Sequence, residues 1–247
     1  NGSEFGVIMN NTLPTTAKVT DLAIDAVISD AEATTYQTEL TLNYTDKFAY
    51  LDDLTGDLSK SVIKEEGKVY LVNFAGLTPQ LYTVQYAASN SATVKSIDVA
   101  KNASYNFTYV SFTDNKIVQV EPEKTKWDIQ WTRAIYVTSG IPYIFSDLVF
   151  INNRGGVSVA TVTITSTLTY ANVKASDVKD SDFSSEVDAI GSKWRATTGT
   201  SAGVTQTQFY LIKDAAGNIY KLRFLKMGVG SDGGTRGYPE IEYALVK

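Results

Sequence analysis

"QFYLIKDAAGNIYKLRFL" (residues 208–225) sets two apolar, aromatic-rich runs on either side of "DAAGN" (214–218). Gly217 can take a positive φ there, so the stretch predicts a β-hairpin. Working outward, "TYQTELTLNY" (35–44), "KVYLVNF" (68–74), "LYTVQY" (81–86), "TVTITSTLTY" (161–170) and "EIEYALV" (240–246) read as further strands, rich in Tyr, Phe, Thr and Val. "KWDIQWTRAIY" (126–136) alternates, with Trp127, Ile129, Trp131 and Ile135 on one side and Asp128, Gln130 and Thr132 on the other. Both tryptophans are expected in the core, each contributing about 2–3 kcal/mol by burial. The segments 50–63 and 176–190 are polar with loose periodicity and predict only short helical turns or loops. The expected fold is mostly β.

The chain has 247 residues, 43% of them apolar, which suffices for a sizeable core. A break at "AASNSA" (87–92) divides it into an N-terminal β region, 1–90, and a C-terminal β domain, 91–247. Two aromatic stretches, 65–86 and 215–246, echo each other and read as hairpins of similar recipe. The net charge is −5 without a Lys/Arg cluster, which argues against a nucleic-acid partner. No apolar run approaches the roughly 20 residues of a membrane span. There is also no basic start with an apolar core behind it, so the sequence reads as a soluble chain.

Two absences remove whole classes of chemistry. Without cysteine there is no disulfide and no thiolate metal site. Without histidine the commonest general base and transition-metal ligand are gone. "GTSAG" (199–203) fits the spacing of a nucleophile elbow around Ser201, but that elbow needs a histidine and a following helix. "GVGSDG" (228–233) fits a dinucleotide fingerprint, yet a turn and a strand follow it, so it reads as a hairpin loop. "LDDLTGD" (51–57) gathers Asp52, Asp53 and Asp57 with spacing unlike a calcium loop and is expected to be a solvated turn. Paired carboxylates of the glycosidase kind are not selected by any pattern. A non-enzymatic protein is expected.

Residues 94–140 contain "SIDVA", then "NFTYVSFTDNKIVQV", then "WDI…TR"; further on stand "NNRGG" (152–156), "SKWRAT" (192–197), "FYLIKDAAGNIYKLRFL" and "RGYPEIEYAL". In that order, over roughly 92–247, they resemble the HmuY family of haem-binding surface lipoproteins of Bacteroidetes. The resemblance implies an antiparallel β domain, here preceded by the smaller N-terminal β region, with two finger-like extensions that grip haem. It also implies a place at the cell surface or outer membrane, a role in iron acquisition and an outer-membrane receptor as partner. The only membrane attachment it implies is a lipid on an N-terminal cysteine, which would have been lost with the signal sequence.

In that family two histidines, or in some relatives methionines, hold the iron. They fall by order between the "GG" stretch and Trp194 and just after Trp194. This chain has no histidine, and its methionines, Met9 and Met227, lie elsewhere. The donors left near those places are Tyr170, as a tyrosinate ligand to haem iron, Lys193, and the weak hydroxyls of Thr197 and Thr198. Arg195 and Arg154 are candidate partners for porphyrin propionates. The leading expectation is a surface ligand-binding lipoprotein that takes haem or a related porphyrin without histidine. The alternative is a haem-independent module that binds a protein or a glycan on the same framework.

Overall fold

The computed structural model of the chain describes residues 6–42, 47–74, 80–85, 97–100, 102–138, 141–230 and 232–246. It is 34% strand and 12% helix, with antiparallel sheets, in keeping with the mostly β fold expected from the sequence. The chain forms two compact units. One comprises Asn1–Ala103, Phe107–Val120 and Arg133–Ser146; the other comprises Ser104–Asn106, Glu121–Thr132 and Asp147–Lys247. The boundary read at 87–92 lies outside the described residues.

The first unit holds β1 (Thr15–Thr20), α1 (Asp30–Leu40), β2 (Val69–Phe74) and β3 (Gln80–Gln85). Its sheet runs β1-β2-β3, so β2 is central and is buried from Val69 to Asn73. A central strand covered on both sides needs the unbroken apolar run that "VYLV" supplies. Tyr70 and Val72 pack with Met9, Ala17 and Ile63.

Helix α1 overturns the strand expected over 35–44. Ser29 and Glu32 form a capping box, the Glu32 carboxylate taking the Ser29 N–H at 2.9 Å. The hydroxyls of Thr34, Thr35 and Thr38 each donate to a carbonyl one turn back. Threonines that favour a strand on propensity are thereby accommodated in a helix. Fully buried Leu40 anchors the end of α1, its carbonyl accepting from Thr16 Oγ1 at 2.6 Å.

The acidic turn is also not uniformly solvated. Asp53 and Asp57 cap local turns at Thr55 and Ser59, but Asp52 points inward. Its carboxylate accepts from Met9 N–H at 2.6 Å and Val62 N–H at 2.8 Å, joining stretches apart in sequence. Burial pushes the Asp52 carboxyl above its ordinary range, against the pull of those two donors. Among the described residues no group of acidic side chains could hold a metal ion.

A short hairpin follows, β4 (Tyr109–Ser111) with β5 (Lys116–Val118), and Asn115 takes φ 50° in its turn. Next, β6 (Ile129–Thr138) pairs with β7 (Ile141–Ile151). "SIDVA" contributes no strand over its described residues, 97–100.

The second unit carries β8 (Ser158–Thr163), β9 (Arg195–Ala196), β10 (Gly203–Val204), β11 (Gln208–Lys213), β12 (Ile219–Lys226) and β13 (Glu240–Leu245). Its main sheet is ordered β13-β12-β11-β8, with the predicted β11–β12 hairpin inside it and Gly217 at φ 87°. Side chains of β11 alternate between two cores. Phe209 and Leu211 join one, Tyr210 and Ile212 the other, so both faces of the sheet are covered. The strand read over 161–170 stops at Thr163. Beyond it Thr165 Oγ1 caps Leu168 N–H at 2.9 Å and Asn172 Oδ1 caps Thr169 N–H at 2.7 Å, which turns the chain away from the sheet.

The loop between β12 and β13 is closed by one carboxylate. Asp232 accepts from the N–H groups of Met227 at 2.7 Å, Gly234 at 2.9 Å and Gly228 at 3.2 Å. At Gly228, φ 76°, a Cβ would sit 2.0 Å from Arg236 N, so only glycine fits. The hydrogen bonds from Met227 and Gly234 hold the Asp232 carboxyl below its ordinary value of 3.8. A carboxyl with a lowered native pKa stabilises the fold above its unfolded value and loses that contribution as pH falls through the native one. The stability difference between the native chain and Asp232→Ala is therefore expected to be constant near neutrality and to shrink below about pH 3.8, as read by urea unfolding over a pH series.

Candidate functional site

The "NNRGG" stretch forms a polar staple. Asn152 is only 1% exposed, and its carboxamide makes four hydrogen bonds. Nδ2 donates to the carbonyls of Lys124 at 2.7 Å and Trp127 at 2.8 Å. Oδ1 accepts from Asn106 Nδ2 at 2.8 Å and Gly155 N–H at 2.9 Å. A Cβ on Gly155 would lie 2.4–2.6 Å from that carboxamide, which explains the glycine. The staple thus ties three separate segments of the second unit: Asn106, the 124–127 stretch ahead of β6, and the turn after β7.

Trp194 centres the larger core. It is 1% exposed and stacks on Phe224 at 4.5 Å between ring centres. Trp131 meets it edge-on at 5.0 Å while remaining 37% exposed, so Trp131 is a half-covered ring at the rim rather than a fully buried one. Trp194 Nε1 donates to the Asp147 carbonyl at 2.9 Å. Asp147 bends β7 with φ 55° and pairs through its carboxylate with Arg236.

The residues singled out from the sequence fall around this core as follows. Lys193 is exposed, with Nζ 3.2 Å from the Ala189 carbonyl. Arg195 is half-buried, its guanidinium 6.0 Å from the centre of the Trp194 ring. Arg154 is exposed on the turn after β7, and Thr197 and Thr198 are exposed between β9 and β10.

Tyr170 lies in the other core, 7% exposed, its ring edge-on to Phe209 at 5.7 Å. Lys221 Nζ and the Arg223 guanidinium stand 4.7 and 4.5 Å from its centre. Burial raises the Tyr170 pKa, helped by the Glu242 charge and opposed by Arg223, so the phenol is neutral at physiological pH. Tyr170 and Trp194 thus pack on opposite faces of the β8–β11–β12–β13 sheet. Beside Tyr170, an open depression of about 470 Å³ is lined by Thr167, Leu168, Asn172, Lys174 and Asp177.

A family model described as "HmuY protein" matches residues 103–243, more than half of the chain. The chain belongs to the HmuY family. No curated protein and no solved structure matches it.

HmuY-family membership is that of a non-enzymatic, haem-binding group of surface proteins. No helix among the described residues is long and apolar enough to cross a membrane. The staple, the Trp194 core and the β11–β12 hairpin all lie within the matched span, so the family's sequence pattern here records framework. The donors do not fit two-sided iron coordination. Histidine is absent, and Met9 and Met227 are 7% and 2% exposed inside separate cores. The sequence carries no signal for the separation of Tyr170 from Trp194 and its neighbour Arg195, because it depends on which face of β11 each ring packs against.

Proposed function

We propose that this chain is a non-enzymatic, cell-surface ligand-binding lipoprotein of the HmuY type that takes a porphyrin by its ring and carboxylates, without a side-chain ligand on iron. The observation that supports this reading is that Tyr170 packs in the core on one face of the main sheet, while Arg195 borders Trp194, which packs in the core on the other. One flat ligand cannot meet both, and the remaining donors are neutral hydroxyls or an exposed lysine. In this reading Tyr170 is a packing residue, while Arg195, Lys193 and Arg154 supply positive charge to propionates. The role in iron acquisition, the lipid anchor and the outer-membrane receptor belong to the same proposal.

Titration of tryptophan fluorescence with haem and with iron-free protoporphyrin tests it. The expected result is quenching at micromolar ligand with dissociation constants agreeing within about threefold, because iron adds nothing when it is unligated; a tenfold preference is only about 1.4 kcal/mol. Haem binding more than tenfold tighter than the iron-free ring, abolished in Tyr170→Phe, would restore tyrosinate ligation. The depression beside Tyr170 supports a second reading, since four of its five lining residues are polar. That favours a glycan or peptide, and quenching by neither porphyrin would select it.

A further inference from the structure

The stretches "GTSAG" and "GVGSDG" meet in the second unit. Gly230 of the second packs on Ala202 of the first, where a Cβ would stand 2.5 Å from the Ala202 carbonyl oxygen. Gly203 in turn lies beside the Val229 carbonyl, a Cβ there falling 3.4 Å away. The effect of this close approach is positional. β10 pairs with β9 and sets Val204 across from Arg195, while Gly228 backs onto the Arg236 backbone. A turn closed by Tyr238 N–H on the Thr235 carbonyl, at 3.0 Å, carries Arg236. Two arginines remote in sequence are thereby brought to one place.

That place is Asp147. Its carboxylate pairs with Arg236, and its carbonyl accepts from Trp194 Nε1 at 2.9 Å. Arg195 follows Trp194 in the chain, with its guanidinium 6.0 Å from the centre of that ring. Burial lowers the Arg195 pKa, the Asp147 charge opposes the shift and the Arg236 charge adds to it, so both neighbours act on Arg195. An arginine nonetheless stays protonated. One carboxylate therefore serves two guanidiniums, one of them partly desolvated. The Asp147 side chain is 17% exposed and largely taken up, whereas that of Arg236 is 46% exposed and open to a further anion. Guanidinium forks match planar carboxylates two bonds at a time. The geometry points to Arg195 and Arg236 as a carboxylate-binding pair, with Arg236 a specificity residue for a flat ligand that carries carboxylates. Trp131, 37% exposed and 5.0 Å from Trp194, gives the pair an aromatic neighbour. This inference rests on the reading that the ligand is held by its carboxylates, and it assigns that grip to two arginines. Lys193 and Arg154 then add only longer-range positive charge.

Nuclear magnetic resonance of the ¹⁵N-labelled full chain tests it, with benzoate as the probe and the arginine Nε–H signals as the readout. Arg195→Lys and Arg236→Lys assign the two signals, and the rest of each spectrum reports whether the variant is folded. Benzoate is expected to move both along one saturation curve with a dissociation constant on the order of 1–10 mM, leaving the Arg154 signal in place. Benzamide, which has the same shape without the charge, is expected to move neither. Either variant keeps the charge and loses the fork, so its dissociation constant should rise at least about tenfold. Equal shifts with benzamide, a parallel shift of Arg154, shifts that do not saturate, or an unchanged constant in Arg236→Lys would overturn the inference. Porphyrin quenching without benzoate binding would sink this assignment alone. Benzoate binding without porphyrin quenching would sustain the pair and sink the porphyrin reading.

Discussion

Asn152→Ala is expected to cost the second unit about 4 kcal/mol and to lower its unfolding midpoint by roughly 10 °C or more. The substitution leaves two carbonyls, a backbone N–H and the Asn106 carboxamide without the partner each has now. Buried polar groups left unpaired cost about 1–3 kcal/mol each, less where water can enter, which sets the size of the effect. Gly155→Ala is expected to destabilise by a similar route, since its new Cβ expels the Asn152 carboxamide. The two act on one set of bonds, so the double variant should be well short of the sum. Urea unfolding followed by tryptophan fluorescence measures all three. A loss under 1 kcal/mol in Asn152→Ala would mean that the staple is not what ties these segments together.

Trp194→Ala is the second large effect, at about 3–5 kcal/mol, the usual range for removing a fully enclosed aromatic ring. The cavity would open between Phe224 and Trp131 and would strand the Asp147 carbonyl. Trp194→Phe keeps a ring against Phe224 and gives up the Nε1 bond, so it should recover most of that loss. Thermal unfolding of the two variants separates packing from hydrogen bonding. Equal losses in both would show that the Asp147 contact dominates.

Where the sequence was informative, one physical constraint acted alone. The strands β2 and β11 are legible because a strand covered on both faces needs an apolar run, and β12 follows because "DAAGN" allows only a tight connection. The helix α1 was not legible from its own residues, since "TYQTEL" alternates and is rich in threonine. Its capping box lies six residues before that stretch, at Ser29. Strand β7 went unremarked because its first half, from Ile141 to Ile144, mixes exposed apolar residues with a buried proline, and this pattern matches no simple period. Asp52 looked solvated because its partners, Met9 and Val62, are remote in sequence.

The candidate ligand-binding residues illustrate the same limit. Tyr170, Lys193, Arg195 and Arg154 were chosen by order along the chain. Order says nothing about which face of a sheet each side chain reaches. The polar depression formed by Thr167, Asn172, Lys174 and Asp177 had no sequence signal beyond turn-forming residues. Family membership was legible because the framework motifs survive together, and the staple at Asn152 and the ring cluster at Trp194 give two of them a physical reason to do so.

In the proposed reading, the HmuY framework persists here without an iron grip. The most direct measurement is the electron paramagnetic resonance spectrum of the chain saturated with ferric haem. A high-spin signal, unchanged in Tyr170→Phe, is the predicted result. A low-spin, six-coordinate signal would contradict the account, because it requires two strong side-chain donors that the structure keeps apart.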